Sequence, residues 1–189
     1  MKKLLLATAL LATGASAGNF DQMYAGLKLD HNWTTLKSED DTYRPNGFGV
    51  GALFGHGFQL NADWAYGFEA FVGRSFSQKK VFDEDGDLQG KISRLWNFGV
   101  DARMGRIFGD SFVYGRLGFH GIQQQFKGDG SVSFVSWAMA PGAGFEHAVS
   151  QGINLRVDYA CELGFKKTVQ EVDMKTNSHV LSLGVSFAL

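Results

Sequence analysis

The feature that most constrains this chain is a hydropathy period of two, repeated along most of its length. Between 96 and 104, Trp96, Phe98, Val100, Ala102 and Met104 share one parity, while Asn97, Gly99, Asp101 and Arg103 share the other. From 153 to 165, Ile153, Leu155, Val157, Tyr159, Cys161, Leu163 and Phe165 alternate with Asn154, Arg156, Asp158, Ala160, Glu162 and Gly164. The C-terminus repeats the pattern, with Leu181, Leu183, Val185, Phe187 and Leu189 set against Ser182, Gly184, Ser186 and Ala188. Successive side chains on a strand point to opposite faces, so each segment reads as a strand with one apolar face.

Eight such segments can be placed, at about 23–33, 47–55, 63–76, 92–104, 112–123, 134–147, 153–165 and 179–189. Their connections alternate in character. Those at 55–63, 105–111 and 148–152 are short and rich in Gly, Asn, Asp and Ser, whereas 34–46, 77–91, 124–133 and 166–178 are mostly longer and charged. An even number of strands with short turns on one side and longer loops on the other is the arrangement of an antiparallel, up-and-down transmembrane β-barrel. Strands of about 9–11 residues, tilted by about 45°, cross the hydrocarbon layer, and these segments are long enough. The competing fold is a soluble sandwich or lipocalin-like barrel, whose strands also alternate.

The second face decides between the two. A soluble barrel would clothe it in Lys, Glu and Thr. Here it is mostly Gly and Ser with charges of both signs: Lys28, Asp30, Glu69, Asp101, Arg103, Arg116, Glu146, Arg156, Asp158 and Glu162. That face suits a crowded interior. A fifth-strand hairpin turning near Phe108 sets Asp101 opposite Arg116, the turn at 148–152 sets Glu146 opposite Arg156, and a loop centred on Gly86 sets Glu69 opposite Arg103. Unlike charges facing each other stabilise a ladder, and charges in a low-dielectric interior need partners. The expectation is a closed interior network of Glu69, Asp101, Arg103, Arg116, Glu146, Arg156 and Asp158, since eight strands enclose little beyond their own side chains.

Aromatic placement fits two interfacial girdles. Trp64, Tyr66, Phe54, Phe145 and Phe187 fall at the short-turn end, and Trp33, Phe48, Trp96, Trp137 and Phe165 at the other. The N-terminus reads as an export signal of residues 1–17: Lys2 and Lys3, then the apolar Leu4 to Ala12, then Ala15-Ser16-Ala17 as a cleavage site. Residues 18–189 then form one barrel domain. Composition enters mainly by exclusion. Eighteen basic against 19 acidic residues give no concentrated basic face for nucleic acid, and a single Cys supports neither a disulfide framework nor a multi-Cys zinc site.

The run V-S-W-A-M-A-P-G-A-G-F-E-H-A-V-S-Q-G-I-N-L-R-V-D-Y, from Val135 to Tyr159, resembles the sixth and seventh strands of the OmpA-type transmembrane domain. Tyr114-Gly115-Arg116-Leu117-Gly118 is similar to its fifth strand, and Leu181-Ser182-Leu183-Gly184-Val185-Ser186-Phe187 to its last. By position, Glu69, Arg116, Glu146 and Arg156 resemble that family's interior charges. The resemblance implies an eight-stranded barrel of the Gram-negative outer membrane, inserted by the outer-membrane assembly machinery, with a role in envelope integrity, adhesion or immune evasion. Two departures stand out. The chain stops after the barrel, without the family's peptidoglycan-binding domain. It also ends in Leu189 where Phe is usual, although Phe187 and Leu189 keep an alternating insertion signal.

Some eight-stranded barrels modify lipid A, so an acyltransferase or deacylase is the alternative reading. The palmitoyltransferase kind needs His, Asp and Ser near the outer rim; His31 is there, but Asp110-Ser111 falls in a short turn. The deacylase kind has a His-x-Ser-Asn motif, whose spacing His147 and Ser150 do not match. Nucleophile and base must lie within hydrogen-bond reach, so the expectation is no catalysis and no cofactor or metal. A small-solute channel is a further alternative. Asp83-Glu84-Asp85-Gly86-Asp87 has calcium-type oxygens without the EF-hand completion and reads as a solvated hairpin tip. Lys37, Arg44, Lys79, Lys80, Lys91, Lys166 and Lys167 lie at the outer rim, near lipopolysaccharide phosphates. Cys161 reads as a small lipid-facing residue and His120 as part of the interior network. Asn32-Trp33-Thr34 matches a glycosylation sequon but ends a membrane strand. Expected partners are therefore outer-membrane lipids and lipopolysaccharide, the assembly machinery, and a host or extracellular ligand at the loops.

Overall fold

A computed structural model describes residues 20–37, 42–82, 88–128, 130–169 and 172–189. The export signal at 1–17 and the acidic tip at 83–87 lie outside these residues. Every regular element among the described residues is a strand: β1 (Met23–Lys37), β2 (Thr42–Tyr43), β3 (Asn46–Gln59), β4 (Trp64–Ser75), β5 (Gln78–Phe82), β6 (Leu88–Phe108), β7 (Ser111–Lys127), β8 (Ser131–Ser150), β9 (Ile153–Gly164), β10 (Lys167–Val169) and β11 (Val172–Ala188). Eight long strands run antiparallel in the order β1, β3, β4, β6, β7, β8, β9, β11, and β11 pairs back onto β1 from Tyr24↔Ala188 to Lys37↔Lys175. The sheet therefore closes on itself. A closed ring satisfies every ladder group internally, which hydrocarbon demands of any backbone it surrounds. The short β2, β5 and β10 extend the hairpins on the long-loop side.

Hydrophobicity is inverted relative to a soluble protein. Leu29 is 61% exposed and Val100 58%, whereas Glu162 and Glu146 are each 1% exposed. The apolar parity faces outward, where only a lipid solvent makes such exposure favourable. The rings Trp33, Phe48, Trp96, Trp137 and Phe165 are exposed at the long-loop end, and Phe54, Trp64, Phe108 and Phe145 near the other. Trp137 anchors the first group by stacking on Phe119 at a centroid distance of 5.0 Å.

The short turns are set by local chemistry. Gln151-Gly152 joins β8 to β9, and Gly152 has φ +76°, a left-handed conformation that a Cβ disfavours. Asn61 Oδ1 accepts from the backbone N–H groups of Asp63 and Trp64 at 2.9 and 3.0 Å, closing the β3–β4 turn as an Asx turn.

Several strands run further than the hydropathy pattern indicates. β6 has 21 residues, about 70 Å of chain at roughly 3.3 Å per residue, so at a tilt of about 45° it overshoots a band about 25 Å tall. Above that band hydrogen bonding continues but the outward row is no longer apolar. Hence the hairpins outlast their period-two signal.

Candidate functional site

The lumen holds one contiguous column of side chains. At the short-turn end Phe20, Ala65, Ile107, Phe112 and Tyr114 form an apolar floor, with Phe20 and Phe112 centroids 5.3 Å apart. Gly144 makes room for it, because a Cβ there would collide with the Tyr114 ring. Above the floor the Arg103 guanidinium lies against three rings, 4.7 Å from Tyr24, 5.3 Å from Tyr114 and 5.6 Å from Phe112. It pairs with Glu146, which also accepts from Asn154 Nδ2 at 2.7 Å.

The next layers form an unbroken chain of alternating sign. Glu69 pairs with Arg156, and Arg156 Nε donates to Asp158 at 2.8 Å. Asp158 lies 3.4 Å from Arg116, which pairs in turn with Asp101. His120 links Asp101 at 3.2 Å to Glu162 at 3.0 Å. Glu162 accepts two hydrogen bonds from Arg94, at 2.8 and 3.1 Å. Carboxylates only accept, so a His120 ring nitrogen that carries hydrogen donates to the carboxylate it faces. Tyr24 and Tyr114 hydroxyls donate to Glu69 at 3.0 Å and Asp158 at 2.6 Å, fixing the carboxylates from the floor side. To one side Lys28 reaches Asp30 at 3.3 Å with its ammonium 3.9 Å from the Phe71 ring centre. Hydroxyl and amide groups cap the column: Asn32 with Ser75 and Ser77, and Gln124 with Thr176 and Ser136.

Charges are spanned across the lumen as well as along the wall. Glu69 on β4 and Arg156 on β9 stand on strands diametrically opposed in the ring, while Arg94 on β6 crosses to Glu162 on β9. Two of the expected cross-strand registers are therefore corrected. Asp101 stands opposite Gly118 and Arg103 opposite Arg116, because the β6–β7 turn is at Gly109-Asp110, one residue beyond Phe108. The long Arg116 side chain still reaches Asp101 diagonally. Glu69 stands opposite Asp101, not Arg103, and the ion pair of Arg103 goes to Glu146. Glu146 and Arg156 do face each other, but their ion pairs go to other partners. Both shifts are of two residues, which preserves the face and changes only the neighbour.

Arg94 is the interior residue that hydropathy parity misplaces. Counting from Trp96 puts it on the lipid face, yet it is buried inside, because a bulge between Arg94 and Asn97 inserts one residue and resets the alternation. Other singled-out residues fall outside the lumen. Cys161 stands opposite His179 on the outward face, and His179 Nδ1 lies 2.6 Å from the Tyr159 hydroxyl. His147 Nδ1 is 2.9 Å from Ser111 Oγ at the short-turn rim, far along the strands from His31, whose ring packs on Trp33 and Phe48. Phe187 on β11 and Leu189 just past its end are both exposed. Lys37, Arg44, Lys79, Lys80, Lys166 and Lys167 are exposed at the long-loop end, and Lys91 is half-buried there.

No curated protein matches the chain. Among solved structures it is similar to Neisserial surface protein A, with a TM-score of 0.61 at 15% identity over 88% of this chain and 97% of that one. It is also similar to the outer membrane protease OmpT from Escherichia coli, with a TM-score of 0.53 at 7% identity over 94% of this chain and all 100% of the other. At such identities the likeness is one of fold. The family described as outer membrane protein beta-barrel domain matches residues 4–187, nearly the whole length. A closed ring with an apolar outside and a charged lumen thus has its place: the chain belongs to the outer membrane protein β-barrel domain family of the Gram-negative outer membrane.

Proposed function

We propose that this chain is a non-catalytic, OmpA-type barrel whose lumen is closed to solutes, and which acts through its outer loops and its contact with the lipid, in adhesion or envelope integrity. The observation that carries this reading is the unbroken column from Glu69 to Arg94, with Arg103–Glu146 below it. Glu69, Asp101, Arg103, Arg116, Glu146, Arg156 and Asp158 are its structural plug, joined by Arg94, His120 and Glu162. A solute would have to break several buried ion pairs to pass, each costing about 3–5 kcal/mol. With conduction disfavoured, recognition falls to the long-loop end and the outer wall.

Residues 1–17 act in this reading as an export signal, leaving 18–189 as the barrel domain, and Phe187 with Leu189 presents the alternating signal to the assembly machinery. Lipopolysaccharide and an extracellular ligand are the partners. The test is single-channel recording of the purified protein in planar bilayers, expected to give no stable conductance. Discrete, reproducible openings by the wild-type protein would overturn the closed-lumen reading. Lipid A mass spectra from cells with and without the gene are expected to be identical, and a changed acyl count would make the chain an enzyme.

A further inference from the structure

At the long-loop rim the outer wall carries a cluster of cations for which no carboxylate partner stands among the described residues. Lys80 on β5 stands directly opposite Lys91 on β6, and Lys91 directly opposite Lys127 on β7, so three ammonium groups share one row across three adjacent strands. Like charges placed opposite one another destabilise a ladder. Neither Lys91 nor Lys127 has an ion-pair partner among the described residues, whereas the lumen groups from Arg94 to Arg156 are paired.

A cleft of about 310 Å³ opens beside this row, lined by Arg74, Phe76, Ser93, Lys91, Gln125 and Lys127 among others, and no Asp or Glu lines it among the described residues. The guanidinium of Arg94, at its inner wall, is already committed to Glu162. The cleft sets the Ser93 hydroxyl and the Gln125 amide beside cations without a carboxylate partner among the described residues, the donor set that recognises a tetrahedral oxyanion.

Its position selects the source of that anion. Arg74 lies 5.1 Å over the ring of Trp96, and Phe76 in the cleft wall is 62% exposed on the lipid-facing side. The cations therefore begin where the aromatic girdle ends, at the level of headgroup phosphates. A site for a dissolved anion has no use for an apolar lower edge; a phosphate attached to acyl chains does.

We infer that the cleft between β5, β6 and β7 binds a phosphate of a glycolipid in the outer leaflet, held by Lys91 and Lys127, with Arg74 in its wall and Lys80 beside Lys91 on the same row. This rests on the reading of the outer wall as a lipid-binding surface but not on the closed lumen. The charge row is then part of a ternary arrangement in which the lipid phosphate supplies the counter-charge.

The test is titration of the purified chain, folded in zwitterionic detergent micelles, with bisphosphorylated lipid A, with the same lipid lacking both phosphates, with sodium pyrophosphate and with heparin. Bisphosphorylated lipid A is expected to bind, and Lys91→Gln/Lys127→Gln to weaken it on the order of tenfold or more, as loss of charge-assisted hydrogen bonds implies. Arg106→Gln, at the short-turn end of the barrel, is expected to leave affinity unchanged, and Lys91→Arg/Lys127→Arg to retain most of it. A heat-shift gel verifies that each variant is folded, and the single Lys127→Gln, an exposed position, serves if the double does not fold. Equal binding of the dephosphorylated lipid, or full affinity in a folded Lys→Gln variant, would overturn the proposal. So would binding of heparin or pyrophosphate without binding of lipid A, which would make the cleft a site for soluble anions. A conducting barrel with an intact lipid A site would refute only the closed lumen.

Discussion

Arg103 and Glu146 form an ion pair that shares no member with the chain from Glu69 to Arg94, so replacing them tests what a single pair of buried charges contributes. Glu146 is 1% exposed and, with Arg103 gone, keeps only the Asn154 amide at 2.7 Å. Arg103→Met therefore leaves a buried carboxylate without its ion-pair partner, at a cost of about 3–5 kcal/mol. Glu146→Leu leaves the guanidinium among the rings of Tyr24, Phe112 and Tyr114, whose faces offset part of the loss, so about 2–4 kcal/mol is expected. In Arg103→Met/Glu146→Leu both charges are absent and the thioether sits in an apolar cage beside the floor. What remains lost is chiefly the acceptor of Asn154, about 1 kcal/mol. The double variant should thus be more stable than either single one, with a coupling of at least about 3 kcal/mol. Urea unfolding in lipid vesicles, followed by the emission of the four tryptophans with the denaturant slope unchanged, measures all three. Additivity within about 0.5 kcal/mol would refute the pairing and with it the account of the lumen as mutually neutralising charges.

Arg156→Met removes the cation shared by Glu69 and Asp158, and is expected to lower the urea midpoint at least as far as Arg103→Met; an unchanged midpoint would contradict the cross-lumen bridge. Deletion of Leu95 takes out the extra residue of the β6 bulge and leaves Arg94 and Asn97 both facing inward, so a heat-shift gel should show a folded barrel. Deletion of Val100, in the regular part of the same strand, reverses the parity of everything to one side of it and should abolish the folded band.

The sequence carried the period and the faces far more reliably than the partners. Parity survives any register error of two residues, which is why Asp101, Arg103, Arg116, Glu146, Arg156 and Asp158 could be placed on a common side from local alternation alone. Partner identity depends on where the turn sits, and moving the β6–β7 turn from Phe108 to Gly109-Asp110 exchanges Arg116 for Gly118 opposite Asp101. The greater obstacle is closure itself. Glu69 and Arg156 are 87 residues apart on opposite strands of the ring, and no reasoning confined to hairpin neighbours brings them together. Arg94 was hidden for a different reason: a bulge leaves no reliable mark in hydropathy, and the Leu95-Trp96 pair reads as uninterrupted apolar wall. The outer ends of β6, β7 and β8 were illegible because water, unlike lipid, does not require an apolar outward row.

The same contrast of environments accounts for how charge is distributed over the molecule. Inside the lumen Arg94, Arg103, Arg116 and Arg156 each sit against a carboxylate, and guanidinium is the cation whose planar fork can serve two acceptors at once. Lysine is rare there, with Lys28 on Asp30. On the outer wall the preference reverses: the row Lys80, Lys91 and Lys127 has flexible stems and compact charges beside a cleft that no acid lines among the described residues. Fixed forks suit partners that are themselves fixed in the fold, whereas long mobile ammonium groups suit an anion that arrives from outside and whose exact position the fold does not set. The described residues thus set paired charges inside the ring, where each faces a fixed partner, and cations without a carboxylate partner on the outer wall, where a lipid phosphate can supply one.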